Sequence, residues 1–71
     1  MTYEEIRAYE ARGLKIMFEG VSKSGDDWLV VGDSKSAFVM RNQGDHDKRF
    51  FIVTLCETEK ALAKAQYYTN R

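Results

Sequence analysis

Proline is absent from this 71-residue chain, cysteine and histidine occur once each, and neither sign of charge prevails. Each shortage narrows the field. Cys56 has no second cysteine for an intramolecular disulfide, so a reducing compartment is expected. One histidine and one cysteine fall short of the usual four ligands of a zinc site. Eleven cations balance eleven anions, so no global field draws the chain onto nucleic acid or an anionic membrane. No apolar run approaches the roughly 20 residues of a membrane helix. The stretch "MTYEEIRAYE" is too acidic and polar for a signal or transit peptide. Gly20, Gly25, Gly32 and Gly44 stand singly in turns and make no phosphate-binding loop. Neither Gly-x-Ser-x-Gly nor His-Glu-x-x-His occurs. Internal repeats, low-complexity segments and linkers are missing as well. The expectation is a soluble cytoplasmic protein of one domain, residues 1–71, with no cofactor and no metal.

What is present suffices for a core: 44% of residues are hydrophobic and 13% aromatic. A chain this short buries only about 60% of the surface its unfolded form exposes. Small domains without metals or disulfides often gain stability by self-association, and a homodimer is one expectation here.

The pattern predicts six elements. Thr2 is placed to cap a first helix, with Glu5 closing a capping box and Met1 and Ile6 positioned as a hydrophobic staple. Gly13 supplies the left-handed residue that ends this helix after Arg12, bringing Leu14 back to Tyr9. Its apolar face is thin: Tyr3, Ile6 and Tyr9. In "LKIMFEGV", Leu14, Ile16 and Phe18 alternate with Lys15, Met17 and Glu19, the pattern of a half-buried strand. "SKSGDD", "GDSKS" and "RNQGDHDK" carry turn chemistry. Between and after them "WLVV", "AFVM" and "RFFIVTLC" read as strands. Strict alternation in the last puts Phe50, Ile52, Thr54 and Cys56 on one side and Phe51, Val53 and Leu55 on the other. As the longest and most hydrophobic strand, it is expected to support the centre of the sheet. Breaks of about four to eight residues favour hairpins. The C-terminal "ETEKALAKAQYYTNR" reads as a helix with Thr58 as N-cap. Its apolar stripe is Ala61, Leu62, Ala65 and Tyr68. Beside it runs a basic stripe of Lys60, Lys64, Tyr67 and Arg71. The fold class is therefore α+β: a four-stranded antiparallel meander between two helices, in the order α-β-β-β-β-α.

Chemistry concentrates in "RNQGDHDKRFFIVTLC", residues 41–56. Asp45, His46 and Asp47 own ligand atoms, but alternation in an extended chain turns His46 away from both aspartates. A calcium loop needs a further ligand where Arg49 stands. These residues read as a solvated turn. A thiol at a helix N-terminus can be activated, which makes Cys56 a nucleophile candidate with His46 as base. Some ten extended residues separate the two by on the order of 30 Å, whereas a catalytic hydrogen bond spans about 3 Å. Cys56 is thus read as a small apolar side chain. Glu19, Asp26, Asp27 and Asp33 remain a possible carboxylate set at one sheet edge. A chain of this size, however, leaves little room for a cleft of about 300 Å³. No enzyme activity is expected.

Two surfaces remain. Two short helices laid side by side cover one face of a four-stranded sheet and no more. "WLVV", "AFVM" and "FFIV" are apolar on both faces. Either the helices divide between the faces, or one apolar face stays open as a partner site. In the second case Trp28 and Phe50 or Phe51 are the natural aromatic anchors. The expected partner-binding residues are Trp28, Arg41, Lys48, Arg49, Phe50, Ile52 and Tyr67, and the partner is a larger protein or nucleoprotein complex. Basic groups among aromatics, namely Arg41, Lys48 and Arg49 with the Lys60, Lys64 and Arg71 stripe, give nucleic acid as the alternative partner. The helix–sheet–helix order is similar to the double-stranded-RNA-binding domain, whose second helix also carries lysines. The chain departs from that family in having an extra strand, no Gly-Pro-x-His loop and an acidic start to its last helix. In size and composition, and in its want of catalytic motifs, it looks like the compact accessory proteins of phages and mobile elements, some of which inhibit host complexes by binding them.

Overall fold

The computed structural model describes residues 1–43 and 49–70. Helix α1 (Tyr3–Ala8) tightens into a 3₁₀ turn over Tyr9–Arg12. Strands β1 (Lys15–Val21), β2 (Asp27–Gly32), β3 (Ser36–Asn42) and β4 (Phe51–Glu57) follow, and helix α2 (Thr58–Thr69) closes the order. The sheet is a meander, β1-β2-β3-β4, with every pair antiparallel. The predicted fold class is the observed one.

Local chemistry explains both ends of the first helix. Thr2 Oγ1 accepts the Glu5 N–H at 3.2 Å. The Glu5 carboxylate takes the Thr2 hydroxyl, not the Thr2 backbone N–H, so the expected capping box closes through the side chain. At the other end Gly13 adopts φ 90°. Its N–H donates to Glu10 O at 3.1 Å and the Leu14 N–H to Tyr9 O at 3.2 Å, the double bond of a Schellman cap.

The two helices take opposite faces of the sheet. On one face α2 packs Ala61, Ala65, Leu62 and Tyr68 over Trp28, Val30, Ala37 and Val39. On the other, Ile6 of α1 joins Leu29, Val31, Met40 and Phe50, with Tyr3, Leu14, Ile16 and Phe38 around them. Strands β2 and β3 are buried from both sides, as their unbroken apolar runs require.

Three expectations are corrected here. The register slips between Ile16 and Phe18, which makes Met17 an extra residue in β1. Ile16 therefore packs under α1 while Phe18 packs under α2, and strict alternation along β1 does not hold. A second slip, opposite Val39 and Met40, makes Val53 the extra residue of β4. Phe50 and Cys56, expected on one side, belong to the opposite layers. Finally, β4 is an edge strand and not the centre of the sheet, because a meander leaves its last strand with one neighbour.

The turns that set this register are held by side chains. Asp33 Oδ1 accepts the N–H groups of Lys35 at 2.8 Å and Ser36 at 3.0 Å. Gly32 just before it is dictated by space, since a Cβ there would lie 2.3 Å from Ser36 O. Thr58 is the first residue of α2, not its cap: its hydroxyl donates to Asp33 O at 2.6 Å and ties the helix start to this same turn.

Candidate interface at the fourth strand

Helix α1 is too short to close its face of the sheet. It begins beside the start of β4, where Met1 and Phe50 exchange backbone hydrogen bonds and Thr2 bridges to Arg49. It ends at Gly13, next to the start of β1. Those two points are diagonal corners of the antiparallel sheet. The corner left beyond the diagonal is formed by the start of β3 and the end of β4. There Phe38 lies directly opposite Leu55; Ile52, opposite Met40, is the next β4 side chain on this face toward the start of the strand. Phe38 is half-buried, but Leu55 is 55% exposed, Ile52 54% and Val53 43%. On the other face of the same strand Phe51 is 47% exposed. Six consecutive residues, Phe51–Cys56, carry no charge. An apolar, uncharged edge strand is the feature that folded proteins usually avoid.

The seven predicted partner residues fall into separate places. Ile52 and Arg49 are exposed at β4. Phe50 is sealed under α1 at 5% exposure, which removes it as a surface anchor. Trp28 is likewise buried, at 4%, because Tyr68 of α2 stacks on it with ring centroids 4.7 Å apart and planes 5° from parallel. The Arg41 guanidinium lies 5.3 Å from the Trp28 ring centroid and pairs with Asp26, Nε to Oδ2 at 3.1 Å. Arg41 thus braces the core beside Trp28. Tyr67 is 62% exposed and meets Tyr68 edge-on at 5.5 Å, in the α2 layer. Lys48 lies outside the described residues, as do Arg71 and the Asp45–His46–Asp47 turn. Lys60 and Lys64 are exposed on α2. Sequence reasoning missed Phe38, Val53 and Leu55. The signal that would have found them is the meander itself, which makes β4 an edge and puts half its side chains beyond the reach of a six-residue helix.

A cleft of about 810 Å³ opens at the other end of the molecule, between the start of α1 and the β1–β2 turn. A chain of this length thus holds a cleft, contrary to the expectation from its size. Its walls include Tyr3, Glu4, Glu19, Asp27, Trp28 and Phe50. The Tyr3 hydroxyl donates to the Glu19 carboxylate, and that bond raises the phenol above its ordinary pKa. Among the described residues, neither histidine, cysteine nor a basic residue lines the cleft. Asp26 is paired with Arg41, and Asp33 belongs to the turn at the far end of β2, so the four carboxylates proposed from sequence do not converge. Among the described residues no group of three His, Cys, Asp or Glu side chains is arranged to hold a metal ion. Cys56 is half-buried in the α2 layer. Among the described residues no helix is long and apolar enough to cross a membrane.

No protein-family model matches the chain, and no match is found among curated proteins or solved structures.

Proposed function

We propose that the chain is a small protein-binding module that docks on a larger protein through the open corner of its sheet. It works by surface complementarity and not by catalysis. The observation that carries this reading is the exposure of Leu55 and Ile52 beside Phe38, on a face whose other half α1 has closed. A cluster of large apolar side chains on a small domain costs solubility unless a partner covers it. The natural setting is that of a compact accessory protein of a phage or mobile element, working in a reducing cytoplasm where Cys56 stays a thiol and inhibiting or modulating a host complex.

Parallel affinity captures test the reading, with wild type, Leu55→Lys and Lys64→Ala as baits. A larger protein recovered by wild type and Lys64→Ala but lost with Leu55→Lys is the expected result. Identical recoveries from all three baits would contradict it.

A further inference from the structure

The diagonal course of α1 leaves a second corner of its face uncovered, where the end of β1 meets the start of β2. This corner is the cleft of about 810 Å³, and its chemistry is the opposite of the apolar one. We propose that the cleft binds a lysine or arginine side chain carried on a segment of another polypeptide. The alkyl stem lies on an apolar floor and the charged head meets carboxylates.

Charge complementarity selects a cation. Glu4, Glu19 and Asp27 line the cleft, and among the described residues no lysine, arginine or histidine does. The ion pairs among the described residues, Arg7 with Glu10 and Arg41 with Asp26, involve none of the three. Residues 44–48 contain one cation, Lys48, and one lysine cannot neutralise three carboxylates. Glu19 accepts the Tyr3 hydroxyl, which leaves its charge and its remaining lone pairs in place. Asp27 is the least expected of the set. Aspartate is depleted in strands, yet this one begins β2 half-buried. Among the described residues its side chain has neither a salt bridge nor a hydrogen bond. Glu4 also suits the first turn of α1, but no such duty explains Asp27. A half-buried anion without a counter-charge costs free energy that a bound cation offsets.

The apolar lining selects a side chain over a free ion. Leu29 and Phe50, buried in the α1 layer, also line the cleft. Tyr3 adds its ring, tilted 48° from that of Phe50 with centroids 6.5 Å apart. An alkyl stem covers such surface while its head stays at a polar rim, and aromatic faces attract the head as well. A metal ion gains nothing from an apolar floor, and among the described residues no three ligand groups are placed to hold one. A polyamine repeats its charge every few carbons and would set ammonium groups against Leu29 and Phe50. The volume of about 810 Å³ lies within the roughly 300–1,000 Å³ of ordinary ligand pockets, which leaves room for the residues flanking the bound side chain. The docking corner of Phe38, Ile52 and Leu55 takes no part in this binding.

Titration of the isotope-labelled chain with the peptide acetyl-Ala-Lys-Ala-amide, followed through backbone amide shifts by NMR, tests the proposal. Saturating shifts at Glu19, Val21, Asp27 and Leu29 are expected, with a dissociation constant on the order of 1 mM. The same peptide with norleucine for lysine keeps the stem without the charge and should bind about tenfold more weakly. Asp27→Asn should weaken the lysine peptide about fivefold, and adding Glu19→Gln should remove the shifts. Circular dichroism confirms that each variant is folded, and the exposed Glu4→Gln substitution gives a second, independent weakening. Equal binding of the norleucine peptide overturns the proposal, as does indifference to Asp27→Asn. Shifts confined to another surface overturn it too, and so does spermidine binding at these amides more tightly than the peptide. Leu55→Lys should leave the peptide affinity unchanged, so this proposal and the docking reading fail separately; a tenfold loss with Leu55→Lys would place the peptide at the other corner and overturn it.

Discussion

The sheet has two edges, built from strands of equal length, and they are not alike. Strand β1 carries Lys15 at its start and Glu19 near its end, with Gly20 beyond, and Glu19 is engaged by the Tyr3 hydroxyl. Strand β4 carries no charge over Phe51–Cys56 and reaches its first at its last residue, Glu57. Each strand has one bulge, at Met17 and at Val53, so the bulges do not distinguish them. Charge does. Lysine and glutamate on a rim keep another strand from pairing there, because their desolvation outweighs the backbone bonds gained. The β1 edge bears charge at both ends of its strand; the β4 edge bears none over six consecutive residues. In a domain this small, with its longest apolar strand at the rim, that asymmetry is the most informative property of the surface.

Erasing the difference should have the largest effect. Lys15→Val with Glu19→Val gives both rims an apolar edge, and a molecule with two such edges assembles without closing. Light scattering should report a mass that climbs with concentration further than that of the parent chain. Charging matched positions sharpens the contrast in the other direction. Ile16→Lys places a cation among Leu29, Val31 and Leu14 under α1 and should cost about 2–3 kcal/mol in urea unfolding. Leu55→Lys, at a position 55% exposed, should change stability by less than about 0.5 kcal/mol while abolishing docking.

The smallest effect concerns neither edge and serves as their control. The N–H groups of Ser36 and then Lys35 hold the Asp33 carboxylate below its ordinary pKa of 3.8. Fewer protons bind it in the fold than in the unfolded chain. Its contribution is thus present above the unfolded pKa and is lost as pH falls through the lower folded value. Asp33→Ala should flatten the acid limb of a stability–pH profile, measured by urea unfolding, and leave association at neutral pH unchanged.

Much of this fold was legible because its signals are local. Thr2 and Gly13 bracket the first helix through bonds to residues no more than five positions away. The stripe Ala61, Leu62, Ala65 and Tyr68 was read directly from helical spacing and packs as expected. The bulges at Met17 and Val53 were not legible, since nothing in "KIMFE" or "FIVTL" marks an extra residue; only the register against a neighbouring strand reveals one. The site was half legible for a related reason. Apolar side chains in excess of what two helices can cover were countable from sequence, and Ile52 and Arg49 were named. Which of them stay outside depends on strand order and on the diagonal path of α1, so sequence alone points to Trp28 and Phe50 as anchors although both are buried. Leu55 and Val53 were passed over as ordinary strand residues.

The most direct test compares the two rims by amide hydrogen exchange, in the free chain and with the captured larger protein bound. Amides of β4 around Leu55 should slow on binding while those of β1 exchange at an unchanged rate. If both edges exchange alike with and without that protein, the asymmetry between β1 and β4 has no consequence.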